Sequence, residues 1–218
     1  MNAGIRDFTV TFGSQVATLL LSMASQSCLA WFLAPAGRGS YAVCLLFTTL
    51  LNLVCVLGCD IAVLYYVSAR KFTLSEGVSN MCIQGGLGCL LAIIVGLIIM
   101  QLPLAFLNKA APTSFYLSLA LIPASFFSTT LTALLGSVRQ FGWLAVFSIF
   151  TNACQLIFIL IFVPLLAWGV NGALLSTFLA TLLNTLAVLA FYRRKHQLRW
   201  VWPSQESLGQ MLHYGLRY

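Results

Sequence analysis

Asp60, in the run LGCDIAVLYY, is the one acidic side chain that the sequence sets well inside an apolar stretch. A carboxylate in mid-membrane costs about 2.5 to 3.5 kcal/mol on the insertion scale, against about −0.3 to −0.6 kcal/mol for each Leu, Ile, Val or Phe. Fourteen such residues between positions 41 and 67 offset it. The segment therefore inserts, and the carboxylate must face protein, where it can pair, carry a proton or meet a cation. Two roles are open to Asp60: a structural pairing near a helix end, or ion coupling and gating of a transported substrate.

The second chemical signal is a set of polar rows inside apolar segments. Thr11, Ser14, Gln15, Thr18, Ser22, Ser25 and Gln26 fall at i, i+3, i+4, i+7, i+11, i+14 and i+15, which is one face of a helix. The same test selects Ser125, Ser128, Thr129, Thr132 and Gly136, then Ser148, Thr151, Asn152 and Gln155, then Thr177, Thr181, Asn184 and Thr185. A weaker row holds Thr48, Asn52, Cys55 and Cys59. Small and hydroxylated residues let membrane helices approach, each interhelical hydrogen bond contributing about 0.6 to 2 kcal/mol. Rows this long on so many helices also suit the wall of a hydrated cavity. From them we take Gln15, Ser22, Gln26, Asn52, Asn152, Gln155 and Asn184 as candidate substrate-cavity residues. Arg70, Lys71 and Arg139 can draw a phosphate or diphosphate by charge, although any cytoplasmic loop of a membrane protein carries such residues.

Other chemistries find no residues to carry them. The seven cysteines all fall in apolar segments, none forms C-x-x-C, and His196 and His213 lie far along the chain from them. We read the thiols as small packing residues and expect no metal and no cofactor. Four acids and two histidines, without clustering, give no catalytic constellation, so we expect no enzyme. Gly85, Gly86 and Gly88 lack the strand-to-helix setting of a phosphate loop and read as a site of close helix packing. Pro103, Pro112, Pro123 and Pro164 mark helix ends or kinks, with Pro123 a candidate hinge.

The elements that must position these residues follow from composition. Of 218 residues 61% are hydrophobic and 7% charged, and the mean hydropathy is +0.98, which places the chain among polytopic membrane proteins. We expect an all-α bundle of six spans, at 9–33, 41–67, 78–101, 114–137, 143–167 and 170–192, because the alternating ten-residue segments of a membrane barrel are missing. Arg6, Arg70, Lys71, Arg139, Arg193, Arg194, Lys195 and Arg199 collect on one side, Arg38 and Lys109 on the other. Both termini are then expected in the cytoplasm. The net charge of +7 is a topology signal that also meets anionic lipid headgroups, and gives no reason to expect nucleic acid. The expected organisation is a six-helix lobe over 1–192, an interfacial linker over 193–206, and at 207–218 the opening of a second lobe.

Three segments carry a resemblance. LAPAGRGSYAVCLLF (33–47) resembles the L-G-P-x-G-x-G-x-Y-A-L pattern of polysaccharide and O-antigen flippases, with Ala36 where an acidic residue often follows the proline. GVNGALLSTFLATLLNTLAVL (169–189) is similar to the sixth helix of the same multidrug/oligosaccharidyl-lipid/polysaccharide exporter superfamily, and LHYGLRY (212–218) to the segment opening its second half. The resemblance implies the amino-terminal lobe of a two-lobed, alternating-access transporter in a bacterial inner membrane. It further implies a polyprenyl-diphosphate-linked oligosaccharide as substrate, a proton or sodium ion as coupling partner, and a second lobe or partner chain. A cation-coupled drug or toxin exporter of the same superfamily, and an inactive membrane remnant or scaffold, are the alternatives.

Overall fold

The structure, a computed structural model, describes residues 3–56, 59–69, 71–102, 111–138, 140–196 and 209. Among the described residues there are seven α-helices and no strand: α1 (Ala3–Phe32), α2 (Pro35–Val56), α3 (Cys59–Ser68), α4 (Leu74–Gln101), α5 (Pro112–Ser137), α6 (Phe141–Leu160) and α7 (Gly169–His196). The all-helical expectation holds, while the count of six spans is modified. The second expected span is carried by two helices, α2 and α3, either side of positions 57–58. Among the described residues, four helical segments are both long and apolar enough to cross a membrane: Leu74–Gln101, Pro112–Ser137, Phe141–Leu165 and Gly169–Lys195. The protein is thus a multi-pass membrane protein. Helix α1, at 30 residues, has the length, but its row of Ser, Thr and Gln lowers its apolarity.

Local chemistry sets the helix ends. Thr73 caps α4: its hydroxyl oxygen accepts from the Glu76 N–H at 3.3 Å, while the Glu76 carboxylate accepts from the Thr73 N–H at 2.8 Å. This reciprocal pair satisfies two donors that a helix start leaves open. Pro112 opens α5 at a position where its missing N–H costs nothing. Pro164 falls in a π-helical turn, Ile161–Leu165, that ends α6. There the Leu166 N–H reaches back to Ile161 O and the Trp168 N–H to Phe162 O, both at 3.1 Å. The chain then reverses through left-handed Ala167 (φ 52°) and Gly169 (φ 53°), the latter at little steric cost.

Helix α1 lies mainly against α6 and scarcely touches α2; α5 and α6 both pack on α7; α2 packs on α4 and α5; α3 rests on α5 and α4. Glycines allow the closest approach. A Cβ at Gly88 would collide with the backbone carbonyl of Cys55, and one at Gly85 with the ring of Phe126, whereas Gly86 faces open space. The expected packing role therefore holds for two of the three. Cys55 and Cys89 meet at this crossing with their Sγ atoms 3.1 Å apart. Phe47 and Phe115 pack edge to face at 5.5 Å, and Leu51, Met81, Phe126 and Leu134 are buried in the same core.

The hydroxyls of the polar rows are mostly satisfied by their own helices. In α1, Ser14 donates to Thr11 O, Thr18 to Gln15 O, Ser22 to Leu19 O and Ser25 to Leu21 O, at 2.7 to 2.9 Å. A hydroxyl folded back in this way carries no unpaired donor into an apolar medium. That is why a membrane helix accommodates so many.

Candidate functional site

Where α5, α6 and α7 meet, the rows of three helices converge on one recess of about 390 Å³. Its wall consists of Ser128, Thr129, Thr132 and Ala133 from α5, Leu144, Ser148, Thr151 and Asn152 from α6, and Asn184 from α7. Asn184 is the buried anchor, 3% exposed, and its Nδ2 donates to Ser128 Oγ at 2.8 Å and to Thr132 Oγ1 at 3.3 Å. Its Oδ1 is buried and has no partner. Asn152 donates from Nδ2 to Ser148 O at 2.9 Å.

Three hydroxyl protons of this wall are already committed. Thr129 donates to Ser125 O, Thr132 to Ser128 O and Thr151 to Phe147 O. What Thr129, Thr132 and Thr151 retain is lone pairs, so they present acceptors to the recess, joined by the carboxamide oxygen of Asn152. None of the described residues that line it is charged. Such a surface matches a neutral ligand rich in O–H donors.

A second node ties the recess helices to α2. Thr177 donates to Ala173 O at 3.1 Å; its oxygen accepts from Gln155 Nε2 at 3.3 Å and lies 3.4 Å from the hydroxyl of buried Tyr41. Nearer the start of α7, Ser114 donates to Asn171 Oδ1 at 2.7 Å, fastening α5 to α7.

Of the candidate cavity residues, Asn152 and Asn184 thus share one recess, and Gln155 joins α6 to α7 through Thr177. Gln15 and Gln26 are exposed on α1, Ser22 is half-buried there, and Asn52 is half-buried on α2 with its Oδ1 unpartnered; none of the four lines the recess. Lys71 is exposed, with its ammonium 5.4 Å from the centre of the Tyr65 ring and 5.5 Å from that of Tyr66. Asp60 belongs to α3, but its side chain, like all of Arg70 and Arg139, lies outside the described residues. Helix α7 continues through Arg193, Arg194 and Lys195 to His196, so the expected interfacial segment begins inside a helix.

Sequence reasoning passed over Tyr41 and Gln84. Gln84 is 7% exposed in α4, and neither atom of its amide finds a partner. The visible signal was an amide between apolar residues in MCIQGGLGC, beside glycines that bring helices close. Tyr41 gave no periodic signal, since its partner Thr177 is 136 residues away.

Solved transporters share this fold. A MATE protein in complex with Br-NRF superposes with a TM-score of 0.67 at 17% identity, over 97% of this chain and 52% of that one. An outward-facing multidrug resistance MATE family transporter of the MOP superfamily gives 0.66 at 16% identity, over 97% and 50%. A MOP superfamily transporter from Pyrococcus furiosus, described as having a binding pocket of reversed polarity, gives 0.62 at 17%, over 97% and 50%. The chain therefore spans about half the length of these structures, and at such identities the likeness is one of fold. No curated protein matches the sequence. A family model does, from residue 5 to residue 218, and by that match the chain belongs to the polysaccharide biosynthesis protein family.

Proposed function

We propose that this chain supplies one lobe of an alternating-access exporter that moves a polyprenyl-diphosphate-linked oligosaccharide across the bacterial inner membrane for cell-surface polysaccharide. The lobe occupies 1–192, with 193–206 as linker and 207–218 leading into a second lobe, and both termini lie in the cytoplasm. The observation that carries this reading is the recess of Ser128, Thr129, Thr132, Thr151, Asn152 and Asn184, a wall of hydroxyls and amides with no charged residue among those described. Sugars are dense in O–H donors, and a site built to hydrogen-bond them rejects a ligand that leaves its polar groups unpaired. A cation-coupled drug exporter would be better served by acids and aromatic faces in the wall, which favours the glycan over that alternative. In this reading Arg70, Lys71 and Arg139 attract the diphosphate at the cytoplasmic mouth, and Asp60 couples transport to a proton or sodium ion.

The test replaces Asn184 by Leu, and separately Asn152 by Leu, in the complete transporter with its second lobe present. Surface glycan is measured at matched protein abundance in cells lacking other exporters of that glycan. Losing the Asn152 wall amide, or the Asn184 amide that holds Ser128 and Thr132 in place, should lower export about tenfold, as about 1 to 2 kcal/mol of lost hydrogen bonding implies. Unchanged glycan export by both variants, or a loss of drug efflux in its place, would remove the proposal.

A further inference from the structure

On another face of α6 and α7 lies a groove of about 540 Å³ that takes no part in the recess, lined by Trp143, Phe147, Ala187, Ala190, Phe191, Arg194 and Lys195. From it we infer a binding site for an anionic glycerophospholipid, the phosphate held by Arg194 and Lys195 and one acyl chain lying in the slot above Ala187 and Ala190.

The order of residues along α7 makes the case. Positions 187, 190, 191 and 194 share one helical face and span about 10 Å, the depth from a headgroup to the first methylenes of its chains. Along that line the wall changes from two cations to aromatic rings to two methyl side chains. The rings form a fixed cluster: Trp143 and Phe191 have centroids 4.6 Å apart, Phe147 and Phe191 5.7 Å, and Trp143 and Phe147 6.0 Å. Tryptophan favours the membrane interface, where the glycerol and ester groups of a lipid lie. The two alanines leave the space that a larger residue would fill.

The cationic end is organised. Lys195 lies over the Phe191 ring at 5.3 Å and donates to Gln140 Oε1 at 3.3 Å, which draws its ammonium over the groove. Among the described residues no carboxylate pairs with Arg194 or Lys195. The apolar floor excludes a free phosphate as the best occupant, and the cations exclude a zwitterionic lipid as an equal one. This site depends on the chain being in a membrane and on nothing about its substrate.

Native mass spectrometry of the full chain, released from nanodiscs of phosphatidylglycerol or phosphatidylcholine, tests the site. The wild type should retain one phosphatidylglycerol far more often than phosphatidylcholine. R194Q/K195Q should lower phosphatidylglycerol affinity about 20- to 30-fold, since each cation near a headgroup surface contributes about a factor of five. A190L alters no charge and stands at an exposed position, yet should also lower retention severalfold by filling the slot. Equal retention of both lipids by the wild type, or undiminished phosphatidylglycerol in R194Q/K195Q, overturns the inference. So does loss in the charge variant without loss in A190L, because attraction at the helix end would then suffice.

Discussion

The crossing of α2 with α4 and the junction of α5, α6 and α7 are built from the same vocabulary of small and polar residues, and they end as opposites. At the crossing, Gly88 has no Cβ and the backbone of Cys55 occupies the space directly, as the ring of Phe126 from α5 does at neighbouring Gly85. At the junction, Ser128, Thr132, Thr151 and Asn152 all carry a Cβ and a polar head, and the helices stand off around a recess. Absence of a side chain closes one interface; a short side chain with a polar head props the other open. Their buried amides differ accordingly. Gln84, in the closely packed helix, is wholly unpartnered, whereas Asn184 leans on two hydroxyls and leaves only its oxygen free.

The sharpest way to break this contrast is to give the crossing a side chain. Gly88→Val places a branched Cβ against a backbone carbonyl, which cannot rotate away as a side chain can. Overpacking of this kind costs about 1 to 3 kcal/mol. We expect the upper end, read as a fall in thermal midpoint in detergent and as faster labelling of the buried Cys55 and Cys89 by a maleimide. A variant with wild-type midpoint and labelling rate would mean that the crossing is slack.

Next in size is Asp60→Asn, which asks whether the side of the molecule closed by glycines also serves transport. Helix α3, which carries position 60, packs on α4 and α5. If coupling resides there, the amide should insert and accumulate normally but lower glycan export about tenfold, the equivalent of about 1.4 kcal/mol. Asp60→Glu should retain more activity, since it still titrates. Full export by Asp60→Asn across a range of external pH would confine function to the junction and leave the carboxylate a structural part.

How much of this was legible in the chain depends on what each signal encodes. Helical class follows from apolar runs, and the convergence at Asn184 follows from periodicity, because spacing on a helix fixes which residues share a face. Spacing does not say what that face meets. The row on α1 obeys the same rule as that on α7, yet Gln15 and Gln26 are exposed while Asn184 is buried across a helix pair. Partners as far apart as Tyr41 and Thr177 are set by the packing of whole helices, which no local pattern contains. Nor does the run GGLG distinguish Gly86, which faces open space, from the neighbours that carry the crossing.

That last distinction yields the smallest effect. Gly86 is exposed in the middle of α4, and a Cβ built there meets nothing within 4 Å. A helical glycine costs about 0.5 to 1 kcal/mol relative to alanine, through the freedom its backbone has in the unfolded chain. Gly86→Ala should therefore raise the thermal midpoint slightly, by the equivalent of about 0.5 kcal/mol, with labelling of Cys55 and Cys89 unchanged. Two residues along, Gly88→Ala already meets the Cys55 carbonyl and should destabilise. The pair differs by nothing but position, so opposite signs would establish that the crossing is read by individual glycines. A loss of stability in both would mean that α4 turns Gly86 toward a surface as crowded as the one that meets Gly88, and the contrast between closed and open interfaces would have to be redrawn around the whole helix.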